Sequence, residues 1–136
     1  MKSKAQVSME YLMVMGFITM MTIPLIIVYY QYFYNTTDSV SRSQSIQIAR
    51  KIVDSSESVY YLGKPSQTTL KFNFPSNIQS INLSSREVVF KIRTKDGITD
   101  IVQVSSVNMS GVLPVSQGIH FVIIKADDGF VQISSN

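Results

Sequence analysis

Residues 1–37 read MKSKAQVSMEYLMVMGFITMMTIPLIIVYYQYFYNTT, and the fold turns on how this stretch is understood. From Tyr11 to Thr37 no side chain carries a formal charge, and Met, Ile, Leu, Val, Phe and Tyr dominate. An apolar run of that length crosses a bilayer with some tilt. It is too long for the apolar region of a cleaved secretory signal, and no small-x-small site follows it. Its exit is instead the aromatic string Tyr29, Tyr30, Tyr32, Phe33 and Tyr34, which suits a membrane interface. The segment is therefore expected to stay on the mature protein. Lys2 and Lys4 stand before it, so the positive-inside rule puts the N-terminus in the cytoplasm and the C-terminal domain outside.

Three features distinguish this helix from a plain anchor. Glu10 is a lone carboxylate at its mouth, and insertion scales put the cost of an unpaired acid in the bilayer at about 2.5–3.5 kcal/mol. Pro24 removes one backbone hydrogen bond in the middle of the run, which predicts a kink there. Gly16, Thr19 and Thr22 offer a loosely small face for close approach of another helix.

The string Lys4-Ala5-Gln6-Val7-Ser8-Met9-Glu10-Tyr11 resembles the QxSxEY pattern of class III signal peptides, found on archaeal type IV pilin-like precursors. The likeness covers residues 4–11 and, with the apolar stem, reaches residue 37. It implies that a membrane prepilin peptidase cuts between Ala5 and Gln6 and leaves the helix on the subunit. It also implies that Glu10, then fifth in the mature chain, pairs with the new amine of Gln6 on a neighbouring copy as stems pack into a filament. The implied partners are further copies of the chain, the membrane before assembly, the peptidase and the pilus assembly machinery. The implied layout is a type IV pilin-like α+β fold, a long N-terminal helical stem carrying a C-terminal antiparallel β-sheet head.

Beyond the stem, residues 38–62 read as an amphipathic helix. Ile46, Ala49, Ile52, Val53, Ser56, Val59 and Tyr60 recur at three- and four-residue spacing, while Gln47, Arg50, Lys51, Asp54 and Glu57 take the other side. Gly63 supplies a stop and Pro65 prevents continuation. A helix unbroken from Gln6 to Leu62 would be about 85 Å long, with its weak point at Asn35-Thr36-Thr37-Asp38-Ser39, poor helix formers where a bend is expected. The organisation is thus a removed leader (1–5), an apolar helix (6–37), an amphipathic continuation (38–64) and a β head (65–136).

The head switches to period two. Leu70, Phe72 and Phe74 alternate with Lys71 and Asn73, Pro75 ends that strand, and Ile81 and Leu83 suggest another. Asp96-Gly97 reads as a two-residue hairpin turn placing Ile92 opposite Ile101 and Arg93 opposite Asp100. Asp128-Gly129 reads as a second, in which Ile124 meets Ile133, Ala126 meets Val131 and Lys125 meets Gln132. These give an antiparallel sheet of four to six strands, either packed on the helix or folded as a sandwich that leaves the helix to neighbouring subunits.

The rest of the sequence narrows function by what it lacks. Net charge is +3, and loss of Lys2 and Lys4 would leave 3 − 2 = +1 with no later basic run, so nucleic acid is not an expected partner. There is no cysteine, which removes disulfides, thiolate chemistry and Cys-based metal sites. His120 is the only histidine and reads as a surface strand residue; Asp127-Asp128-Gly129 lacks the oxygen ligands of a calcium loop and reads as a turn. No nucleophile elbow or phosphate loop is present, so neither an enzymatic role nor a metal or other cofactor is expected. Three Asn-X-Ser/Thr sequons, at Asn35, Asn82 and Asn108, are candidate glycosylation sites. The expected function is a structural subunit of a surface filament serving adhesion. The alternative is a minor subunit or membrane-tethered binding module that does not form the filament's bulk.

Overall fold

The computed structural model describes residues 2–136, with side chains from Val7 onward. One helix, α1 (Lys2–Leu62), precedes seven strands: β1 (Gln67–Phe74), β2 (Ile78–Ser84), β3 (Glu87–Thr94), β4 (Gly97–Val104), β5 (Met109–Gly111), β6 (Gly118–Asp127) and β7 (Phe130–Ser135). The protein is α+β, a long N-terminal helix followed by β-sheets. It divides into two compact units, one ending at Thr37 and one spanning Asp38–Asn136.

In the second unit the helix buries the stripe its spacing prescribes. Ala49, Ile52 and Ser56 are fully buried, Val53 and Val59 nearly so, and Gln47, Arg50, Lys51 and Asp54 are exposed. Ser45 and Ile48 join the buried face, which the three- and four-residue spacing had not included. Ser45 keeps its hydroxyl satisfied by donating to the Ser41 carbonyl at 2.9 Å. The hydroxyl of Ser56 has no partner, at a cost of about 1–3 kcal/mol for a buried polar group of this kind.

Residues 35–39 are helical, so the chain does not unwind there. The hydroxyls of Thr36 and Thr37 donate to the carbonyls of Tyr32 and Phe33 at 2.9 and 3.0 Å, one turn back in the same helix. The helix ends as its sequence directs. Gly63 adopts φ +75°, open to glycine at no steric cost, and its N–H reaches the carbonyls of Val59 and Tyr60. The Lys64–Pro65 peptide is cis, and the Ser66 N–H closes the turn on the Gly63 carbonyl at 2.9 Å.

The strands form two sheets, not one. A four-stranded sheet has the order β1-β6-β7-β5 and a three-stranded sheet the order β2-β3-β4. The first is mixed, because β5 runs parallel to β7, which corrects the purely antiparallel expectation. No short-range turn joins β5 to β7, so sequence patterning carried no trace of the pairing. Gly111 sits in that ladder with no room for a side chain, since a Cβ there would overlap the carbonyl oxygen of Ile133.

The second hairpin has the register its turn implied, with Ile124 opposite Ile133, Lys125 opposite Gln132 and Ala126 opposite Val131. The first does not. Thr94 pairs with Gly97, which places Phe90 opposite Ile101, Lys91 opposite Asp100 and Ile92 opposite Thr99. The turn residues are therefore Lys95 and Asp96. A mirror-image turn centred on Asp96-Gly97 would need Asp96 at positive φ; only Gly97 takes one, at +130°. The Lys95 N–H is moreover held by the Asp38 carboxylate at 2.8 Å.

Helix and both sheets share one core. Ile48, Ala49, Ile52, Val53 and Val59 enter the same cluster as Phe72, Phe74, Val122 and Ile133 of the first sheet and Val88, Phe90 and Ile92 of the second. Phe74 meets Phe90 edge to face at 6.4 Å across the two sheets. Neither expected alternative is complete alone: residues of both sheets meet in the core, and the helix contributes its buried stripe to it.

Candidate membrane-spanning and assembly helix

The first unit is apolar on every side. From Val7 to Tyr34 each large apolar residue is exposed, from 44% at Met15 to 77% at Met20. A helix apolar all round needs an apolar surround. α1 holds a stretch long and apolar enough to span a membrane.

Its two mid-helix threonine hydroxyls are satisfied within the helix. Thr19 donates to the Met15 carbonyl at 2.8 Å and Thr22 to the Ile18 carbonyl at 2.7 Å. Neither hydroxyl then needs water. Pro24 lies inside α1 and has no N–H to offer the turn before it. Around it Leu25, Ile26, Val28, Tyr29 and Tyr32, with Thr22, line a shallow apolar surface. The aromatic string forms a band in which Tyr29 stacks on Phe33 at 6.4 Å, one helical turn on, and Phe33 meets Tyr34 at 6.1 Å.

Glu10 breaks this pattern. It is exposed on α1, and among the described residues no hydrogen bond or ion pair reaches its carboxylate. The side chains of Ala5 and Gln6, the expected processing and pairing residues, lie outside the described residues. The three sequon asparagines fall in different settings: Asn35 in α1, Asn82 on β2 and Asn108 just before β5, all exposed.

The second unit carries polar ties that sequence patterning did not foresee. Glu57, read as a solvent-face residue, accepts from the Ser106 N–H at 2.8 Å, the Ser106 hydroxyl at 2.9 Å and the Ser105 hydroxyl at 3.4 Å. The Ser106 N–H above all, with the two hydroxyls, holds the Glu57 carboxyl below its ordinary pKa. Lys64 bridges Asp127 and, at 2.7 Å, Asp128. Its hydrogen bond to Asp127, then that to Asp128, raises the Lys64 pKa, and the same contact with Lys64 lowers that of Asp127. Together with Asp38 on Lys95, these ties fasten the helix to the β3–β4 turn and the β4–β5 connection, and the turn after the helix to the β6–β7 turn. Partners so distant in sequence leave no local signal.

His120 is more enclosed than a plain surface strand residue. It is half-buried, its ring lies 5.3 Å from that of Phe74, and its Nε2 sits 2.8 Å from the Ser116 carbonyl. Among the described residues no three His, Asp or Glu side chains converge as a metal would require.

No family model, curated protein or solved structure matches the chain. The functional reading therefore rests on residues and geometry alone.

Proposed function

We propose that the chain is a structural subunit of a type IV pilus-like surface filament. It is inserted through its apolar helix, cut between Ala5 and Gln6 and polymerised through that helix, and the filament serves attachment. The observation that carries this reading is the contrast within α1: residues 7–34 expose every large apolar side chain while the same helix beyond Asp38 is packed into a core. A lipid bilayer and a bundle of like helices are the two surroundings that meet that demand, and a pilin uses both in turn. Glu10 fits the second, because the free amine made by cleavage is a charge partner that further copies supply. An unpaired carboxylate at that depth costs about 2.5–3.5 kcal/mol.

Two measurements test the reading. Mass spectrometry of the protein from cell membranes is expected to find Gln6 at the mature N-terminus; a chain still beginning at Met1 or Lys2 refutes processing. Glu10→Gln is expected to leave membrane insertion intact and to reduce sheared filaments seen by electron microscopy several-fold. Unchanged filament yield would sink the pairing role. A protein processed at Gln6 but scarce or absent in sheared filaments would instead be the minor or tethered binding module.

A further inference from the structure

β1 is an end strand of the four-stranded sheet, with β6 on one side only. The register of that pair shows which backbone groups are left over. The Ala126 N–H donates to the Ser66 carbonyl at 3.0 Å, and in an antiparallel ladder hydrogen-bonded and non-bonded pairs alternate. Thr68, Leu70, Phe72 and Phe74 therefore turn their N–H and C=O groups to β6, and Gln67, Thr69, Lys71 and Asn73 turn theirs to the open edge. Eight residues long, this edge runs for about 26 Å.

α1 flanks β1 and leaves a groove beside it. Toward the end of the strand the groove has a volume of about 270 Å³, between Lys71, Phe72 and Asn73 and one helix face made by Gln44, Gln47, Ile48 and Lys51 at three- and four-residue spacing. Toward the start of the strand a further stretch of about 370 Å³ separates Ser66, Gln67 and Thr68 from the helix between Asp54 and Leu62. The floor of the first stretch is apolar, since Ile48 and Phe72 are buried. Its rim is polar and unengaged. Gln44, Gln47, Lys51, Lys71 and Asn73 are exposed; among the described residues no hydrogen bond occupies the three carboxamides and no carboxylate pairs with either lysine.

A lysine on an edge strand is by itself a common guard against pairing with another strand. Lys71 does not stand alone, because Lys51 lines the same stretch from the helix. Two unpaired ammonium groups repel a basic strand and favour one that brings a carboxylate. The nearest acid of the helix, Asp54, lines the other stretch.

We propose that this groove takes an extended acidic peptide, which adds to β1 as a further strand. The peptide backbone bonds the open N–H and C=O groups of Thr69, Lys71 and Asn73, a carboxylate lies between Lys51 and Lys71, and an apolar neighbour covers Ile48 and Phe72. The partner is a different protein. A second copy offers no free acidic strand, since Glu87, Asp100 and Asp127, the acids of its strands, all stand in strands already paired. The groove lies wholly within Asp38–Asn136, so the proposal stands apart from the filament reading.

The test uses the full chain in detergent micelles and a fluorescein-labelled peptide, Ser-Val-Glu-Val-Glu-Val-Ser, read by fluorescence anisotropy. Saturable binding is expected. Lys51→Glu combined with Lys71→Glu should weaken it several-fold, and the same double variant should bind the lysine counterpart, Ser-Val-Lys-Val-Lys-Val-Ser, more tightly than the parent does. That exchange of preference separates a changed site from a lost fold. Methylating the backbone nitrogens of the acidic peptide keeps every charge but removes the N–H groups that strand addition uses, and should also weaken binding several-fold. No saturable binding of the acidic peptide overturns the proposal. Equal binding by the double variant overturns the site, and equal binding of the methylated peptide overturns strand addition. Displacement of the peptide by polygalacturonate at equal carboxylate concentration would show a general trap for acidic polymers and overturn the peptide as its ligand.

Discussion

The two halves of α1 differ in what their apolar residues touch. Ile26, in the first unit, is 48% exposed, whereas Ile52, in the second, is fully buried in the core. Both are isoleucines in unbroken helix, yet only Ile52 has partners within the chain. Helical propensity cannot explain this difference. What differs is the pattern: residues 11–37 are apolar without period, while residues 45–60 are apolar on one stripe only. The aperiodic half asks for a surround, and the striped half for a single partner surface.

Substitutions can break this comparison, and the largest effect is expected from charge in the packed half. Ile52→Asp would bury a carboxylate with no counter-ion and should leave no cooperatively folded head, measured by thermal denaturation in detergent micelles followed by tyrosine fluorescence. A cooperative transition surviving near the parent midpoint would show that the helix is dispensable to the core. Phe90→Ala removes the ring that meets Phe74 and is expected to destabilise the head by about 3–5 kcal/mol in urea titration. Ile52→Ala should cost about 2–5 kcal/mol in the same assay, while Ile26→Ala should leave the head's transition where it was. Comparable losses from the two alanines would collapse the distinction between the halves.

The polar ties should have smaller effects. Glu57→Ala leaves the Ser106 N–H without its acceptor, and a loss of about 1 kcal/mol is expected because water can partly replace the carboxylate. The smallest effect is that of pH. The carboxyls of Glu57 and Asp127 are held below their ordinary values in the folded protein, so their stabilisation is present above those values and lost as pH falls through the depressed ones. The urea midpoint should therefore drop on acidification below the ordinary carboxylate range, less so in Glu57→Gln. Lys64, raised in the folded state, contributes below its ordinary value and loses that contribution as pH climbs past the raised one. Lys64→Ala should flatten this alkaline limb; an unchanged profile would show the bridge to be idle.

What could be read from sequence follows the range of the interactions. The buried stripe at Ala49, Ile52, Val53 and Val59, the stop at Gly63, the end of β1 before Pro75 and the Asp128-Gly129 hairpin all arise from neighbours a few residues apart. The first hairpin was displaced because Asp96-Gly97 satisfies more than one turn, and in the observed one the Lys95 N–H is held by Asp38, far away in the chain. The parallel β5–β7 ladder and the seat of Glu57 on Ser106 have no local signature. Of the candidate site, the uncharged helix and its lone Glu10 were plain in the sequence, because they are a property of contiguous residues. The internal hydrogen bonds of Thr36 and Thr37 were not, since the same residue types serve equally to end a helix.

The pairing of β1 with β6 also sets a timetable. Gln67 waits for Lys125, and Phe74 for Gly118, whereas β2, β3 and β4 form a meander whose strands are joined by tight turns. Contacts between nearby residues form first and distant ones later. The meander can close as soon as it is made, but the four-stranded sheet cannot close until β6 and β7 have emerged. Until then the stripe from Ser45 to Tyr60 lacks the part of its core that the four-stranded sheet supplies. The core of the head is therefore complete only once β6 and β7 have joined it.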